Sequence, residues 1–310
     1  MGPEQALTGW VVAAHGRHVV VESAPGQTVR CHLRGRQQEA VVGDEVVWLP
    51  SGDEGVIETI RPRRNLLQRQ DAWKSKSFAA NVDALLLLVA VDPGFSDSLI
   101  LRALIAAASA GVPAWMLLNK TDLDGVAPAR ARLLRYRELT ERIEEVSLKT
   151  DPQGSRSQLE RHLRGRTTLV LGPSGAGKST LINLMVPDAG AQVGELSAAL
   201  RSGKHTTTAT RWYALPDQDS GQVTARAGRS GLIDSPGFQT FGLHHIDSRD
   251  LPALMPDWQA HLGHCRFHNC THRQEPGCAI RTAVDQEGLD RQRYEIYLTL
   301  LDELSTPRRS

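Results

Sequence analysis

The chain has 310 residues, 40% of them apolar, so it is long enough for about two or three globular domains and is neither disordered nor fibrous. Its 36 Lys and Arg nearly cancel its 35 Asp and Glu, so any contact with nucleic acid must come from a local patch. The N-terminal sequence lacks a secretory signal. The longest apolar run, Val82 to Val91, is shorter than the roughly 20 residues that cross a bilayer. We therefore expect a cytoplasmic protein without membrane contact.

Residues 8–60 contain five short β-rich runs, separated by turn signals about ten residues apart. This rhythm predicts a small antiparallel barrel or sandwich. A five-stranded barrel of the oligonucleotide-binding (OB) type and a β-module without a specific ligand fit it equally well. Residues 61–76 follow, with six positive side chains against one Asp. We interpret them as a solvated linker that leaves the barrel, with contact to phosphates as the functional alternative.

From Val82 onward the sequence alternates between apolar strands and helical segments. Alternation of this kind predicts an α/β domain, with a parallel sheet covered by helices on both faces. Strands are predicted at 82–91, 114–118, 167–172, 212–216 and 230–237 and at the start of 144–150, and helices at 99–110, 130–139 and 157–163 and from residue 178 onward.

The segment GPSGAGKST at 172–180 matches the phosphate-loop pattern in full and stands between a predicted strand and a predicted helix. Its glycines allow backbone N–H groups to surround an anion, Lys178 can bridge the outer phosphates, and the Ser179 hydroxyl can ligate Mg²⁺. The candidate nucleotide-binding residues of this loop are Gly172, Pro173, Ser174, Gly175, Ala176, Gly177, Lys178, Ser179 and Thr180.

The tetrapeptide NKTD follows the strand at 114–118. The carboxylate of Asp122 offers two acceptors that match the N1–H and amino donors of guanine, a pair that adenine lacks, so NKTD favours GTP and GDP. Asn119 and Lys120 would brace the loop and flank the ring, with Thr121 between them and Asp122. Ser147, after the next strand, would back the base. The alternative is a simple helix N-cap at Thr121 or Asp122.

The tetrapeptide DSPG closes another apolar strand. Its Asp234 can hold the magnesium shell through water, and the Gly237 amide is free to approach a terminal phosphate. Between the phosphate loop and Asp234 lies GKHTTT, in which Thr206 or Thr207 would give Mg²⁺ a second hydroxyl beside that of Ser179. We therefore expect Mg²⁺ to bind with the nucleotide.

Many switch GTPases carry Gln directly after the D-x-x-G glycine, but here that residue is Phe238, which cannot orient water. His205 is the nearby candidate for positioning the attacking water, and an ordinary surface histidine is its alternative. The motifs occur in the order base loop, phosphate loop, D-x-x-G, which is a cyclic shift of the usual order. A sheet brings strand ends together regardless of chain order, so a circular permutation preserves the site.

Three of the four cysteines crowd into residues 265–278 beside histidines, which in a reducing compartment indicates metal rather than disulfides. Three thiols and one imidazole are a closed tetrahedral set, suited to one structural Zn²⁺ per chain. His264 and His268 are spare imidazoles, and Cys31 stands alone as a small core residue. Residues 288–304 are predicted to form an amphipathic helix. The predicted zinc ligands are Cys265, Cys270, His272 and Cys278.

These motifs together resemble the ribosome small-subunit-dependent GTPases of the RsgA/YjeQ family, over residues 8–300. The resemblance implies an OB-fold β-barrel at 1–68, a circularly permuted GTPase domain at 69–243 and a zinc-binding, largely helical module at 244–310. It also implies GTP hydrolysis in late maturation of the 30S subunit, stimulated by that subunit and promoting release from it, with contact to 16S rRNA. We expect a monomer. His205 matches the position of the family's catalytic histidine, whereas SLK at 147–149 departs from the usual Ser-Ala.

Two other functions fit part of the sequence. A GTP-gated binding module would bind nucleotide but hydrolyse almost none, with or without 30S particles. A metabolic P-loop kinase would transfer phosphate to an acceptor and prefer neither ATP nor GTP, whereas Asp122 argues for GTP.

Overall fold

The structure is a computed structural model. It describes residues 6–15, 18–24, 27–35, 39–70, 75–190, 210–216, 230–235 and 242–305.

The N-terminal strands close into a barrel, with β1 pairing with both β2 and β4. The order is β1-β2-β3-β5-β4, and β3 and β5 are the one parallel pair among them. Alternate side chains fill the interior, among them Val21, Trp48 and Ile57. Gly55 is required there, because a Cβ would lie 2.6 Å from both Cys31 Sγ and the Trp48 ring. The five-stranded barrel is confirmed, with the strands Leu7–His15 (β1), His18–Ala24 (β2), Gln27–Leu33 (β3), Glu45–Ser51 (β4) and Glu54–Ile60 (β5).

The interpretation of residues 61–76 as a solvated linker was wrong for residues 66–70 and 75–76, which belong to strands. Strands Leu66–Gln70 (β6) and Ser75–Ala80 (β7) pair as a separate two-stranded sheet, because Leu67 and Phe78 are apolar anchors that become buried. The arginines that precede β6 are engaged with carboxylates, which weakens the idea that they contact phosphates. These ion pairs are Arg61 with Glu45, Arg63 with Asp44 and Arg64 with Asp83.

The central sheet has the order β10-β9-β8-β11-β13-β12. Its first five strands are parallel, but β12 runs antiparallel to β13 and also pairs with β1 of the barrel, an arrangement that the sequence did not predict. Barrel and central sheet are therefore continuous through backbone hydrogen bonds. The strands are Ala84–Ala90 (β8), Ala114–Asn119 (β9), Ile143–Glu145 (β10), Thr167–Leu171 (β11), Thr210–Ala214 (β12) and Gly231–Asp234 (β13).

Helices cover both faces of this sheet, because a buried parallel strand directs alternate apolar side chains to opposite sides. Leu85, Leu87 and Val89 of β8 pack with α1, and Leu86 and Leu88 pack with α3 and α4. The helix predicted at 130–139 is instead α2 followed by a short 3₁₀ turn at Arg137–Leu139. The helices of this region are Asp97–Ser109 (α1), Val126–Leu134 (α2), Pro152–Leu163 (α3) and Lys178–Met185 (α4).

Residues 242–305 pack against the face of the sheet that carries α1. They contain 3₁₀ turns at Leu251–Leu254 and Pro256–Trp258, then helices Ala279–Asp285 (α5) and Arg291–Ser305 (α6). Helix α6 matches the predicted amphipathic helix, whereas α5 was not predicted. In the core of residues 242–305, Trp258 packs against Tyr297, with their ring centroids 4.5 Å apart. This module and α1 therefore share one apolar core.

Candidate nucleotide site and metal site

The predicted nucleotide motifs meet at one edge of the sheet. Asn119 is the last residue of β9, Gly172 directly follows β11, and Asp234 is the last residue of β13. These strands are parallel and linked through β8, so their carboxyl ends lie side by side. The permuted order of the motifs along the chain does not separate them in space.

The phosphate loop has the backbone that its glycines predict. Gly175 and Gly177 have φ angles of 80° and 107°, in the left-handed region that other residues rarely adopt. A Cβ on Gly172 would lie 2.3 Å from the carbonyl oxygen of Leu88, so the loop also requires glycine where it leaves the sheet. Helix α4 begins directly after Gly177, and its N-terminal N–H groups face the loop. Pro173, Ser174, Ala176 and Ser179 complete this segment.

Lys178 and Asp234 are in direct contact. The ammonium of Lys178 donates a hydrogen bond to Oδ1 of Asp234, and both side chains are largely buried. Beside them, Thr210 Oγ1 lies 3.4 Å from Ser235 Oγ. Lys178, the candidate phosphate-binding residue, and Asp234, the candidate magnesium-associated residue, therefore lie side by side, although they are 56 residues apart in sequence.

Asn119 joins three loops. Its Nδ2 donates to the carbonyl oxygen of Ala176 at 2.9 Å, and its Oδ1 accepts from the amide of Leu148 at 3.1 Å. The side chain is 3% exposed, so both bonds lie away from bulk water. A Cβ on Gly177 would lie 2.3 Å from Nδ2, so glycine at 177 admits this contact. Asn119 thus fixes the base loop to the phosphate loop.

The rest of the NKTD loop is held by its neighbours. Thr121 Oγ1 lies 2.9 Å from Ser147 Oγ and donates to the carbonyl oxygen of Val146 at 3.1 Å. Lys120 has a φ of 63°, and its ammonium donates to the carbonyl oxygen of Asp92. The loop is therefore fixed on both sides, and the carboxylate of Asp122 remains exposed.

A cleft of about 420 Å³ opens between these loops, a volume within the usual range for small-molecule sites. The NKTD loop contributes Asn119, Lys120 and Asp122, and the phosphate loop contributes Gly175, Gly177 and Thr180.

Sequence reasoning missed part of this lining. Leu123 and Thr150 line the cleft, and the loop after β8 brings Pro93 within 3.3 Å of the place where a Cβ on Gly175 would stand. That loop could have been anticipated, since β8 ends between the motif-bearing strands β9 and β11. Leu148 also lines the cleft, but its amide already donates to Asn119, so it is not a free donor to a base.

Some predicted residues lie outside the part of the chain that the structure describes. They are His205, Thr206 with its alternative Thr207, and Gly237.

The four predicted metal ligands lie together. Their candidate ligand atoms are all within 4.8 Å of one another. Cys265 Sγ is 4.0 Å from Cys278 Sγ, and His272 Nδ1 is 3.6 Å and 3.4 Å from these two sulfur atoms. A tetrahedral zinc with bonds of about 2.3 Å to sulfur and 2.0 Å to nitrogen requires spacings of about 3.5–3.8 Å, so the donor set fits that ion. His264 and His268 are exposed and stand outside the group.

Backbone hydrogen bonds hold these candidate ligands in place. The amides of His272, Ala279 and Arg281 donate to the sulfurs of Cys270, Cys265 and Cys278 at 3.4–3.5 Å, which favours thiolates. His272 has a φ of 62°, and its carbonyl oxygen accepts from the hydroxyl of Tyr294 on α6 at 2.7 Å.

Burial by itself favours the uncharged forms of these cysteine and histidine side chains. Desolvation raises the pKa of Cys270 to about 12, raises the pKa of the Cys278 thiol and lowers the pKa of His272. A bound cation would favour the thiolates, so metal binding must release protons. The four side chains can therefore hold a metal ion, and with four protein donors no position remains for a substrate.

In the described residues, no helix is long and apolar enough to cross a membrane.

Comparisons with known proteins agree with this geometry. A family model described as RsgA GTPase matches residues 60–244. Two curated relatives, from Variovorax paradoxus and Paraburkholderia phytofirmans, are both called small ribosomal subunit biogenesis GTPase RsgA. The first is 48% identical over 97% of this chain and 93% of its own length. The second is 50% identical over 96% of this chain and 93% of its own length.

Two solved structures are similar over nearly the whole chain. YjeQ from Thermotoga maritima is 29% identical with a TM-score of 0.70, covering 98% of this chain and all of its own. YloQ, described as a circularly permuted GTPase, is 25% identical with a TM-score of 0.66, covering 99% of each chain. The family model and the two curated relatives show that this chain belongs to the RsgA GTPase family.

Proposed function

We propose that this protein hydrolyses GTP during late maturation of the small (30S) ribosomal subunit. The observation that supports the proposal is the contact of Asn119 with Ala176, which joins the NKTD loop to the GPSGAGKST segment beside one cleft. The curated relatives are named for biogenesis of the small ribosomal subunit, which supports the biological context.

Guanine recognition is assigned to the NKTD loop. The Asp122 carboxylate faces the cleft and has two acceptors for the paired donors of guanine. Thr121 and Ser147 brace this loop through their hydroxyls, and Asn119 fixes its distance from the phosphate loop. Because adenine presents no such donor pair, we expect a strong preference for GTP and GDP over ATP.

Phosphate binding is assigned to residues 172–180. The N–H groups around Gly175 and Gly177 and the N-terminus of α4 suit an anion, and Lys178 supplies the positive charge. Ser179, Asp234 and Thr206 would hold Mg²⁺, which when bound neutralises charge on the β- and γ-phosphates. The Gly237 amide would approach the terminal phosphate. The ion pair of Lys178 with Asp234 supports this placement of the two groups.

Water positioning is assigned to His205, on the resemblance alone. We expect His205→Ala to slow subunit-stimulated hydrolysis by about two orders of magnitude, with nucleotide affinity near that of the wild type. Single-turnover hydrolysis and nucleotide titration measure the two quantities separately. Full turnover in the variant would remove His205 from the role.

The partners follow from the same proposal. We assign residues 1–68 to an rRNA-binding barrel, 69–243 to the GTPase domain and 244–310 to a zinc-binding module. We further propose that the RNA is 16S rRNA, that the protein is cytoplasmic and that it is a monomer. The pairing of Ala14 on β1 with Thr210 on β12 supports coupling between subunit binding by the barrel and the nucleotide site. It ties the barrel to a strand that begins four residues after Thr206 and lies beside the end of β13.

The metal group is proposed to hold one structural Zn²⁺. The close spacing of three sulfurs and one imidazole nitrogen supports this choice. The metal would tie residues 265–278 to α5, whose first turn follows Cys278 directly.

GTPase assays titrated with purified 30S, 50S and 70S particles test the proposal. We expect slow hydrolysis alone and strong stimulation by 30S particles only. No hydrolysis in any mixture would leave a GTP-gated binding module. Phosphoryl transfer to an acceptor, with equal use of ATP and GTP, would indicate a kinase instead.

A further inference from the structure

One aromatic side chain differs from the others in the described part of the chain. Among the twelve Phe, Tyr and Trp residues there, eleven are buried, and Phe267 alone is exposed, at 41%. Phe267 therefore leaves a large part of its apolar ring surface available for contact with another molecule.

The backbone that presents Phe267 is held firmly. Its carbonyl oxygen accepts from the amide of Cys270 at 3.2 Å, and the amide of the preceding Arg266 donates to Gly277 at 3.0 Å. Gly277 has a φ of 71°, and a Cβ there would lie 3.1 Å from Cβ of Arg266, so the turn requires glycine. Cys265 and Cys270, on either side, belong to the metal group. The ring therefore stands on a fixed support.

The surroundings of the ring are basic and polar. The guanidinium carbon of Arg266 lies 5.6 Å from the ring centroid. Within the described residues, no carboxylate lies within ion-pair distance of Arg266, and no Asp or Glu occurs between Asp257 and Glu275. The exposed neighbours His264, His268 and Asn269 are polar.

We propose that Phe267 is a stacking platform for an unpaired RNA base, with Arg266 contacting the adjoining phosphate. Every base has a π-face that can stack on an aromatic ring, and arginine adds attraction to both base and phosphate. The proposal rests on the proposed function, because a protein that matures the small subunit meets rRNA. It names a contact on the metal-binding module, separate from the barrel.

An RNA base fits this surface better than an apolar protein pocket does. The other exposed large apolar residues of the described chain are Leu7, Leu123 and Leu134, and none of them belongs to residues 242–305. A protein interface would be expected to surround an anchor ring with further apolar area. A single ring among polar side chains, beside an arginine that has no carboxylate within ion-pair distance in the described segments, matches the pattern of base stacking.

Three substitutions at one position separate stacking from simple apolar contact. In the full-length protein loaded with metal, Phe267→Ala should weaken binding to 30S particles by about five- to 100-fold. Phe267→Leu should weaken it almost as much, because it keeps apolar volume but has no π-face. Phe267→Tyr should bind within about twofold of the wild type. Basal GTP hydrolysis and metal content should be unchanged in all three.

Leu134→Ala is the matched control, since Leu134 is 51% exposed on α2 and is not flanked by the metal group. It should bind 30S particles as the wild type does. Arg266→Ala should reduce the dependence of log K on log salt concentration by about one unit.

Ultraviolet crosslinking identifies the partner directly. A stacked ring should carry a nucleotide adduct on the tryptic peptide 267–273, detected by mass spectrometry after irradiation of the complex. Wild-type affinity in Phe267→Leu, or an adduct to a ribosomal protein at this peptide, would overturn RNA stacking in favour of a protein contact. Wild-type affinity in Phe267→Ala would remove Phe267 from the interface.

A second binding arm separates this proposal from the proposed function. An unstructured, fluorescently labelled oligoribonucleotide replaces the 30S particle as probe. One outcome is that the wild type binds the oligoribonucleotide more tightly than Phe267→Ala does, but does not bind 30S particles and is not stimulated by them to hydrolyse GTP. In that case base stacking stands and the ribosomal role fails. If 30S particles stimulate hydrolysis, but all variants bind both probes equally, the ribosomal role stands and stacking fails.

Discussion

Replacing Asn119 by Ala tests the connection between the base loop and the phosphate loop. The substitution removes the bond from Nδ2 to the Ala176 carbonyl and the bond from the Leu148 amide to Oδ1. Both partner groups belong to the backbone. A buried backbone group left without a partner costs about 1–3 kcal/mol, so the two together cost about 2–6 kcal/mol. We expect the lower half of that range, because the adjoining cleft admits water.

The expected result has two parts. Urea unfolding should show a lower free energy of unfolding for Asn119→Ala, and amide exchange of Leu148 should become faster because its acceptor is gone. The two loops would then have to be ordered by the nucleotide. GTP and GDP should therefore bind at least about tenfold more weakly, and by similar factors, in a titration with fluorescent nucleotides.

Asn65→Ala is the matched control. Asn65 also makes two backbone bonds, to the carbonyl oxygen and the amide of Val82, at the opposite end of β8. It should lower stability while leaving nucleotide affinity unchanged. If Asn119→Ala binds GTP and GDP as tightly as the wild type, then the side chain does not set the spacing of the two loops.

The remaining predictions concern other parts of the molecule. Asp122→Asn exchanges one acceptor for a donor and should shift preference from guanosine to xanthosine triphosphate in nucleotide competition; unchanged GTP affinity would remove Asp122 from the base site. Cys270→Ser should abolish stoichiometric zinc measured by atomic absorption, whereas Cys31→Ala, outside the metal group, should retain it. Arg293→Met leaves Asp257 buried without its partner, so urea unfolding should show a loss of about 3–5 kcal/mol. Burial raises the pKa of Asp257, so this loss should shrink as the pH falls and the carboxyl becomes protonated; a loss independent of pH would contradict that reasoning.

Local chemistry made several elements predictable. Each strand of the barrel was visible because β-rich runs and the turn residues that separate them act within a few positions. The phosphate loop was visible for the same reason, since Gly175 and Gly177 supply backbone angles that other residues avoid. Boundaries were less certain: α2 ends at Leu134 and a 3₁₀ turn follows, where one continuous helix to Leu139 was expected. Helical propensity is a weak signal that tertiary packing overrides.

The segment at 61–76 shows why other features were missed. Its charge pattern indicated solvent, but Arg63 pairs with Asp44, and Leu67 is buried beside β7. Partners so distant in sequence leave no mark on local composition. The same holds for the ion pair of Arg293 with Asp257, whose members are 36 residues apart.

The sequence by itself determined which chemical groups this protein carries: the phosphate-loop segment, the NKTD tetrapeptide and the four candidate metal ligands. The tertiary structure decided how these groups are held, through the bridge from Asn119 to Ala176, the loop after β8, and the joining of the barrel to the sheet by β1 and β12. The physical reason is one of range. A motif is defined by neighbouring residues, whereas strand pairing and loop contacts depend on closing long stretches of chain against their conformational entropy.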